Sequence, residues 1–254
     1  RLSDGSYVAL TAIPAAALSI PDADQLERLI RLGKPVQLEL KIDAQLKAEY
    51  TSHNVIGEIT GRELPNEYVL IGGHLDSWDL GTGAIDDASG VAITMATGAL
   101  IGKAAQRPRR SIRVVAFANE EQGVFGGRAY AAANKDVKHV AAAESDFGAG
   151  RIYRFDTRVA EAQRPAMRQI LGVLDALGIE GGDNEAGGGA DVGGLAAFGV
   201  PMFDLSQDGT DYFDLHHTAD DTLDKIEPAA LDQNVAAYTV FAWMMADQLE
   251  ANSP

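Results

Sequence analysis

The sequence predicts an α/β protein built on a mixed, mostly parallel sheet with helices on both faces. Three observations carry this. From His53 onward, short apolar segments alternate with amphipathic ones of helical length, the rhythm of strands joined by crossover helices. Several apolar segments stop in polar, glycine-broken loops, as Tyr68-Val69-Leu70-Ile71 does before Gly72-Gly73-His74-Leu75-Asp76-Ser77-Trp78-Asp79. Those loops carry histidines and carboxylates, at the carboxyl ends of strands where ligands gather in open α/β sheets.

Residues 1–52 have a different rhythm. Tyr7-Val8-Ala9-Leu10 reads as a strand and Ile13-Pro14-Ala15 as a turn. Pro21-Asp22-Ala23-Asp24 starts a helix with an acidic first turn that stops at Gly33. Val36 to Ile42 alternates cleanly and predicts a half-exposed strand. One helix and two or three strands cannot close a core. Residues 1–52 therefore read as the remainder of a small domain that begins upstream, or as an appendage on the main body. The opening at Arg1, with neither initiator Met nor signal peptide, reads as a fragment or processed form.

Residues 53–254 read as the main domain. Strands are expected at Asn54–Ile59, Tyr68–Gly72, Ile112–Ala118, Val140–Ser145, Ile152–Phe155 and Val200–Leu205. Gly61 to Glu67 connects the first two. Helices are expected at Ala88–Ala105, Val124–Asn134, Gln163–Leu177 and Leu231–Leu249, from apolar residues at helical spacing. A glycine-rich loop fills 178–189, and His216-His217 stand in a loop after the last strand.

Composition narrows the function. The chain is 46% hydrophobic over 254 residues, enough for a full core. It has no cysteine, so any metal must be held by nitrogen and oxygen. A formal net charge of −16 disfavours nucleic acid and anionic membranes as partners. No apolar run approaches the roughly 20 residues of a membrane helix.

Five loops or strand ends carry candidate ligands: His74, Asp86, Glu120-Glu121, Asp146 and His216-His217. Singly each has an ordinary explanation. A loop histidine is usually a surface or capping residue, Asp87 or Ser89 can cap a helix, a Glu-Glu pair is usually a solvated edge, and Asp146 can cap a turn. Jointly they fall on one side of the sheet, which makes a metal site the first hypothesis. The set suits two divalent cations about 3.5–4 Å apart, one carboxylate bridging them. Imidazole and carboxylate donors fit catalytic zinc. Of two adjacent glutamates, one can ligate while the other serves as general base. Asp76 is placed to accept the second ring N–H of His74 and fix its tautomer.

The segments Gly73-His74-Leu75-Asp76-Ser77-Trp78-Asp79, Asp86-Asp87-Ala88-Ser89-Gly90, Asn119-Glu120-Glu121-Gln122-Gly123, Glu144-Ser145-Asp146 and His216-His217-Thr218-Ala219-Asp220-Asp221-Thr222 together resemble the M28 family of co-catalytic zinc peptidases over about residues 53–250. Residues 1–52 resemble the second half of the protease-associated-like insert that precedes the catalytic core in part of that family. The resemblance implies two Zn2+ per chain, His74 and Asp146 on one, Glu121 and His217 on the other, Asp86 bridging and Glu120 as general base. His217 is preferred to His216 because the family's ligand stands four residues before an Asp-Thr pair, here Asp221-Thr222. Adjacent histidines in an extended or loop backbone are expected to point in opposite directions, which leaves His216 a supporting or substrate-facing role, with Tyr212 and Phe213 walling the pocket. Asp191 is expected either to contact substrate or to cap the next helix. The resemblance further implies a cis peptide between Asp86 and Asp87. Some relatives have a tyrosine as oxyanion donor before the helix near Asp191, but Gly181 to Gly189 contains none. The implied activity is hydrolysis of dipeptides or short peptides from a free N-terminus, in a periplasmic or secreted protein, with homodimerisation left open. The alternatives are a broader aminopeptidase, a glutaminyl cyclase-like enzyme with one zinc, and a binding module without metal.

Overall fold

Val69, Leu70 and Ile71 are each fully buried, as an unbroken apolar run in a sheet covered on both sides requires. Their side chains alternate between two cores. Val69 and Ile71 pack with Ile93, Ile101 and Phe241, whereas Leu70 packs with Tyr130, Val192 and Leu195. Helical layers therefore cover both faces, and the predicted class is the one observed.

The computed structural model describes residues 16–43 and 49–248, and the chain divides into two units between Thr51 and Ser52. In the second unit the strands are β1 (Val55–Ile59), β2 (Leu64–His74), β3 (Arg110–Phe117), β4 (Lys138–Glu144), β5 (Ile152–Arg158), β6 (Glu180–Gly181) and β7 (Met202–Gln207). They form one sheet in the order β1-β3-β2-β4-β7-β5-β6. β2 is parallel to β3 and β4, β4 to β7, and β5 to β6. β1 and β5 run antiparallel to β3 and β7. Neighbouring parallel strands β3, β2, β4 and β7 thus finish on one edge. His74 is in register with Phe117, and Gly72 with Glu144. The loops carrying Glu120, His74, Asp146 and His217 therefore emerge side by side.

The helices are α1 (Ile20–Arg31) in the first unit, then α2 (Ser89–Gly102), α3 (Phe125–Ala133), α4 (Arg164–Leu174), α5 (Tyr212–Leu215) and α6 (Pro228–Trp243). α2, α4 and α6 supply Ile93, Ile170 and Phe241 to one face. α3 and the short turn Gly193–Phe198 supply Tyr130 and Leu195 to the other. α2 begins hard against the end of β4. A Cβ on Gly90 would stand 1.8 Å from the Ser145 carbonyl oxygen, so only glycine lets helix and strand meet there.

Several expectations need correction. Val36 to Ile42 forms no strand, because among the described residues no neighbour pairs with it and alternation alone does not satisfy a backbone. Tyr7–Leu10, Ile13–Ala15 and Leu249 lie outside the described residues. β2 starts at Leu64, within the expected connection, and its pairing with β3 shifts register between Leu64 and Tyr68. α6 starts at Pro228, where the Glu227 carboxylate accepts the Ala230 N–H at 2.6 Å, a capping signal the apolar periodicity did not carry. The segment Ala84–Gly102 is long and apolar enough to cross a membrane by composition. Its burial under α6 and its buried Asp86 and Asp87 make it a core helix here.

Candidate metal centre

β2 delivers His74 to the sheet edge with its side chain 1% exposed. Its Nδ1 lies 2.8 Å from the backbone oxygen of Asp76. Donation there turns Nε2 inward, 3.0 Å from Asp86 Oδ1 and 3.3 Å from Asp146 Oδ1. The expected tautomer lock thus exists but uses the peptide oxygen. The Asp76 carboxylate is 3.8 Å from the ring, too far for a hydrogen bond. It accepts the backbone N–H groups of Glu120 and Glu121 at 2.9 and 3.2 Å instead. Asp76 thereby ties the β3 loop to the β2 loop, a role that spacing along the chain did not reveal.

Asp86 sits in a tight turn, Ala84–Ala88, and the Asp86-Asp87 peptide is cis, as is Asp79-Leu80. Its two oxygens face different partners. Oδ1 faces His74, while Oδ2 is 3.1 Å from His217 Nε2. His217 Nε2 is also 3.0 Å from Glu121 Oε2. The structure thus brings all five expected ligand positions together as two triads sharing Asp86. Asp87 is 1% exposed and accepts the backbone N–H of His74 at 2.9 Å and of Gly90 at 3.1 Å, so it supports the β2 end as well as capping α2.

The histidine pair departs from expectation. His217 has φ 60°, and this left-handed backbone brings neighbouring side chains to the same side rather than to opposite ones. The rings stack with centroids 3.9 Å apart at 24°. A nitrogen of His216 consequently lies with His217 and Asp86 in a group whose ligand atoms are all within 4.8 Å. The stack continues through Tyr212, 4.8 Å from His216, to Phe147, 4.5 Å from Tyr212. On the other side Trp78 stands 5.7 Å from His217. A ladder of rings therefore joins the Asp146 loop to the His217 loop and buttresses the donors. Tyr212 is buried and Phe213 exposed. Asp191 does not cap the next helix. It is 1% exposed, its Oδ1 accepts the Gly127 N–H at 2.9 Å, and the next helical turn has no side-chain cap. Its own N–H donates to Glu144 Oε2 at 2.8 Å. Glu144 is a buried acid behind the site that sequence reasoning passed over, although it opens the Glu144-Ser145-Asp146 segment.

Electrostatics test whether a cation fits. Burial alone would lower the His74 pKa, yet contacts with Asp146 and Asp86 push it up to about 12. Burial, then the Asp86 charge, pushes Glu121 up to about 8. Burial and the Asp146 charge raise Glu120. For Asp86 burial is outweighed by His74 and His217, which lower it. Glu121 Oε1 is buried without a hydrogen-bond partner. Crowded acids and an orphaned carboxylate oxygen are what a divalent cation relieves. Tetrahedral zinc with bonds of roughly 2.0–2.1 Å sets its ligand atoms about 3.3 Å apart, close to the 3.0–3.3 Å that separate each histidine Nε2 from its two carboxylates. The residues fit the metal.

A mixed α/β sheet that gathers two histidine–carboxylate triads around a shared aspartate, at the ends of adjacent parallel strands, defines the zinc-metallopeptidase class of fold and site. Residues 54–242 match the family Peptidase family M28, and the chain belongs to it. Carboxypeptidase Q of Rattus norvegicus is 33% identical over 94% of this chain and 51% of its own length. The peptidase M28 precursor of Shewanella amazonensis SB2B, known from its crystal structure, is 50% identical with a TM-score of 0.93, covering 97% of this chain and 56% of that one. A zinc aminopeptidase from Bacillus subtilis, 17% identical, shares the fold with a TM-score of 0.61 over 79% of this chain and 51% of its own. The chain spans about half the length of the curated relatives it matches.

Proposed function

We propose that this chain carries the catalytic part of a di-zinc exopeptidase that hydrolyses dipeptides or short peptides from a free N-terminus. One observation carries the reading: the two oxygens of Asp86 face two separate histidines, at 3.0 and 3.1 Å. In this reading His74 and Asp146 hold one ion, Glu121 and His217 the other, and Asp86 both. When bound, zinc supplies Lewis acidity, polarising a scissile carbonyl and lowering the pKa of water. Glu120 is half-buried, with its backbone pinned by Asp76. It takes the proton of the attacking water and returns it to the leaving amine. The His216–Tyr212 stack keeps the His217 ring in line. A cleft of about 340 Å³ beside Asp146, walled by Phe147 and Tyr153 with Asp204 and Ser206 across it, is large enough for one residue of a short peptide.

Residues 1–52 are in this reading the remainder of a protease-associated-like insert beside the 53–254 catalytic domain, and the protein is exported. The test is elemental analysis joined to a dipeptide-library assay on the zinc-loaded protein. Two equivalents of zinc and release of the N-terminal residue support the proposal. One equivalent with cyclisation of N-terminal glutamine would indicate the cyclase alternative, and zinc-free protein without turnover a binding module.

A further inference from the structure

Asp221 entered the sequence argument only as a spacing marker for His217. In the structure it is 3% exposed and reaches across the site. Its Oδ1 accepts the Ile85 N–H at 2.6 Å and its Oδ2 the Asp86 N–H at 3.2 Å. Its backbone oxygen accepts the Thr82 N–H at 2.8 Å and the Thr82 hydroxyl at 3.2 Å. Four hydrogen bonds from one residue therefore fasten the turn that carries Asp86 to the loop that carries His217. The packing between them admits no side chain. A Cβ on Gly81 would lie 2.5 Å from the Thr218 carbonyl oxygen and 2.9 Å from the Asp221 Cβ.

We propose that Asp221 is a positioning residue of the metal centre, setting the distance between Asp86 and His217 and so the affinity of the site they share. The proposal rests on the two-zinc reading for its consequence but not for its geometry. Charged acceptors for backbone N–H groups are among the stronger hydrogen bonds, and here both oxygens are engaged. The contact completes a relay in which three ligand-bearing segments are each held by an aspartate of another. Asp221 holds Asp86, Asp87 holds the backbone of His74, and Asp76 holds Glu120 and Glu121. Asp221 is the member that brings in the His217 loop. Without it, nothing in the relay ties His217 to the other three loops.

The test compares Asp221→Asn with Asp220→Asn, which removes the same charge one residue away at an exposed position. Asparagine offers one oxygen where two amides converge, and its NH2 faces a donor. Zinc affinity, measured against a chelating competitor, should fall about 10–100-fold in Asp221→Asn and stay at the wild-type value in Asp220→Asn. In the metal-free protein, the Ile85 and Asp86 amides should exchange hydrogen faster in Asp221→Asn alone. Should Asp221→Asn fail to fold, Gly81→Ala forces the same loops apart with the carboxylate in place, and should weaken zinc binding in the same way. Wild-type affinity in whichever variant folds, or equal losses at 220 and 221, overturns the proposal. If the wild type takes up no zinc, the peptidase reading falls, and unchanged amide exchange in Asp221→Asn would overturn the clamp separately.

Discussion

Glu120 and Glu121 are adjacent, share one backbone anchor and sit in the same field of Asp86 and His74. Replacing either with glutamine removes one negative charge from nearly the same place and preserves side-chain volume. Any general electrostatic effect is therefore common to both variants, and only their different contacts separate them. Glu121 Oε2 stands 3.0 Å from His217 Nε2, so Glu121→Gln removes a donor and should deplete zinc after dialysis. Glu120 belongs to neither triad, and its amide stays anchored to Asp76. Glu120→Gln should hold as much zinc as wild type while turnover falls about 10²–10⁴-fold, or about 3–5 kcal/mol of barrier, because amide cannot accept the proton. The assay is kcat/KM on a dipeptide beside zinc content on the same samples. Equal metal loss in both variants, or full turnover in Glu120→Gln, would refute the division of roles.

The remaining predictions concern other parts of the molecule. His217→Ala should lose one equivalent of zinc, whereas His216→Ala should keep both but bind them less tightly because the ring under His217 is gone; the reverse pattern would make His216 the ligand. Phe241, fully buried with its ring 5.0 Å from Phe203, should cost about 3–5 kcal/mol as Phe241→Ala, and at about 2–4 °C per kcal/mol the melting temperature should drop by roughly 6–20 °C. A drop of under about 3 °C would place this ring outside the core. Burial and then the Arg113 charge lower His139 from its ordinary 6.5 to about 4. The unfolded chain then takes up a proton that the folded chain refuses, so this contribution is present above pH 6.5 and is lost as pH falls toward 4. Its ceiling is about 3 kcal/mol. Urea midpoints of metal-free wild type should fall more steeply between pH 7 and 4.5 than those of His139→Gln, and parallel slopes would exclude this group as the cause.

Much of the fold was legible because its signals are local. Apolar runs such as Val69–Ile71 and Val140–Ala143 report burial through neighbours in sequence, and Pro21 with Asp22 marks the start of α1 within one turn. The same locality misled at Val36–Ile42, where alternation was present but a pairing strand was not. The candidate ligands were legible too, since histidine and carboxylate side chains at the ends of successive apolar segments must meet if those segments lie parallel in one sheet.

What the sequence by itself determined is therefore the fold class and the chemical character of the candidate site: histidines and carboxylates at the ends of neighbouring strands. Only the tertiary structure decided how those groups are aimed. A positive φ at His217 stacks it on His216 instead of opposing it, and a single dihedral angle leaves no trace in residue type. The Asp76 carboxylate serves two amides 44 and 45 residues away rather than the nearby imidazole. Asp221 serves two amides 136 and 135 residues away. Such partners are chosen by which loops the sheet sets side by side, and that choice exists only once the strands have taken their order.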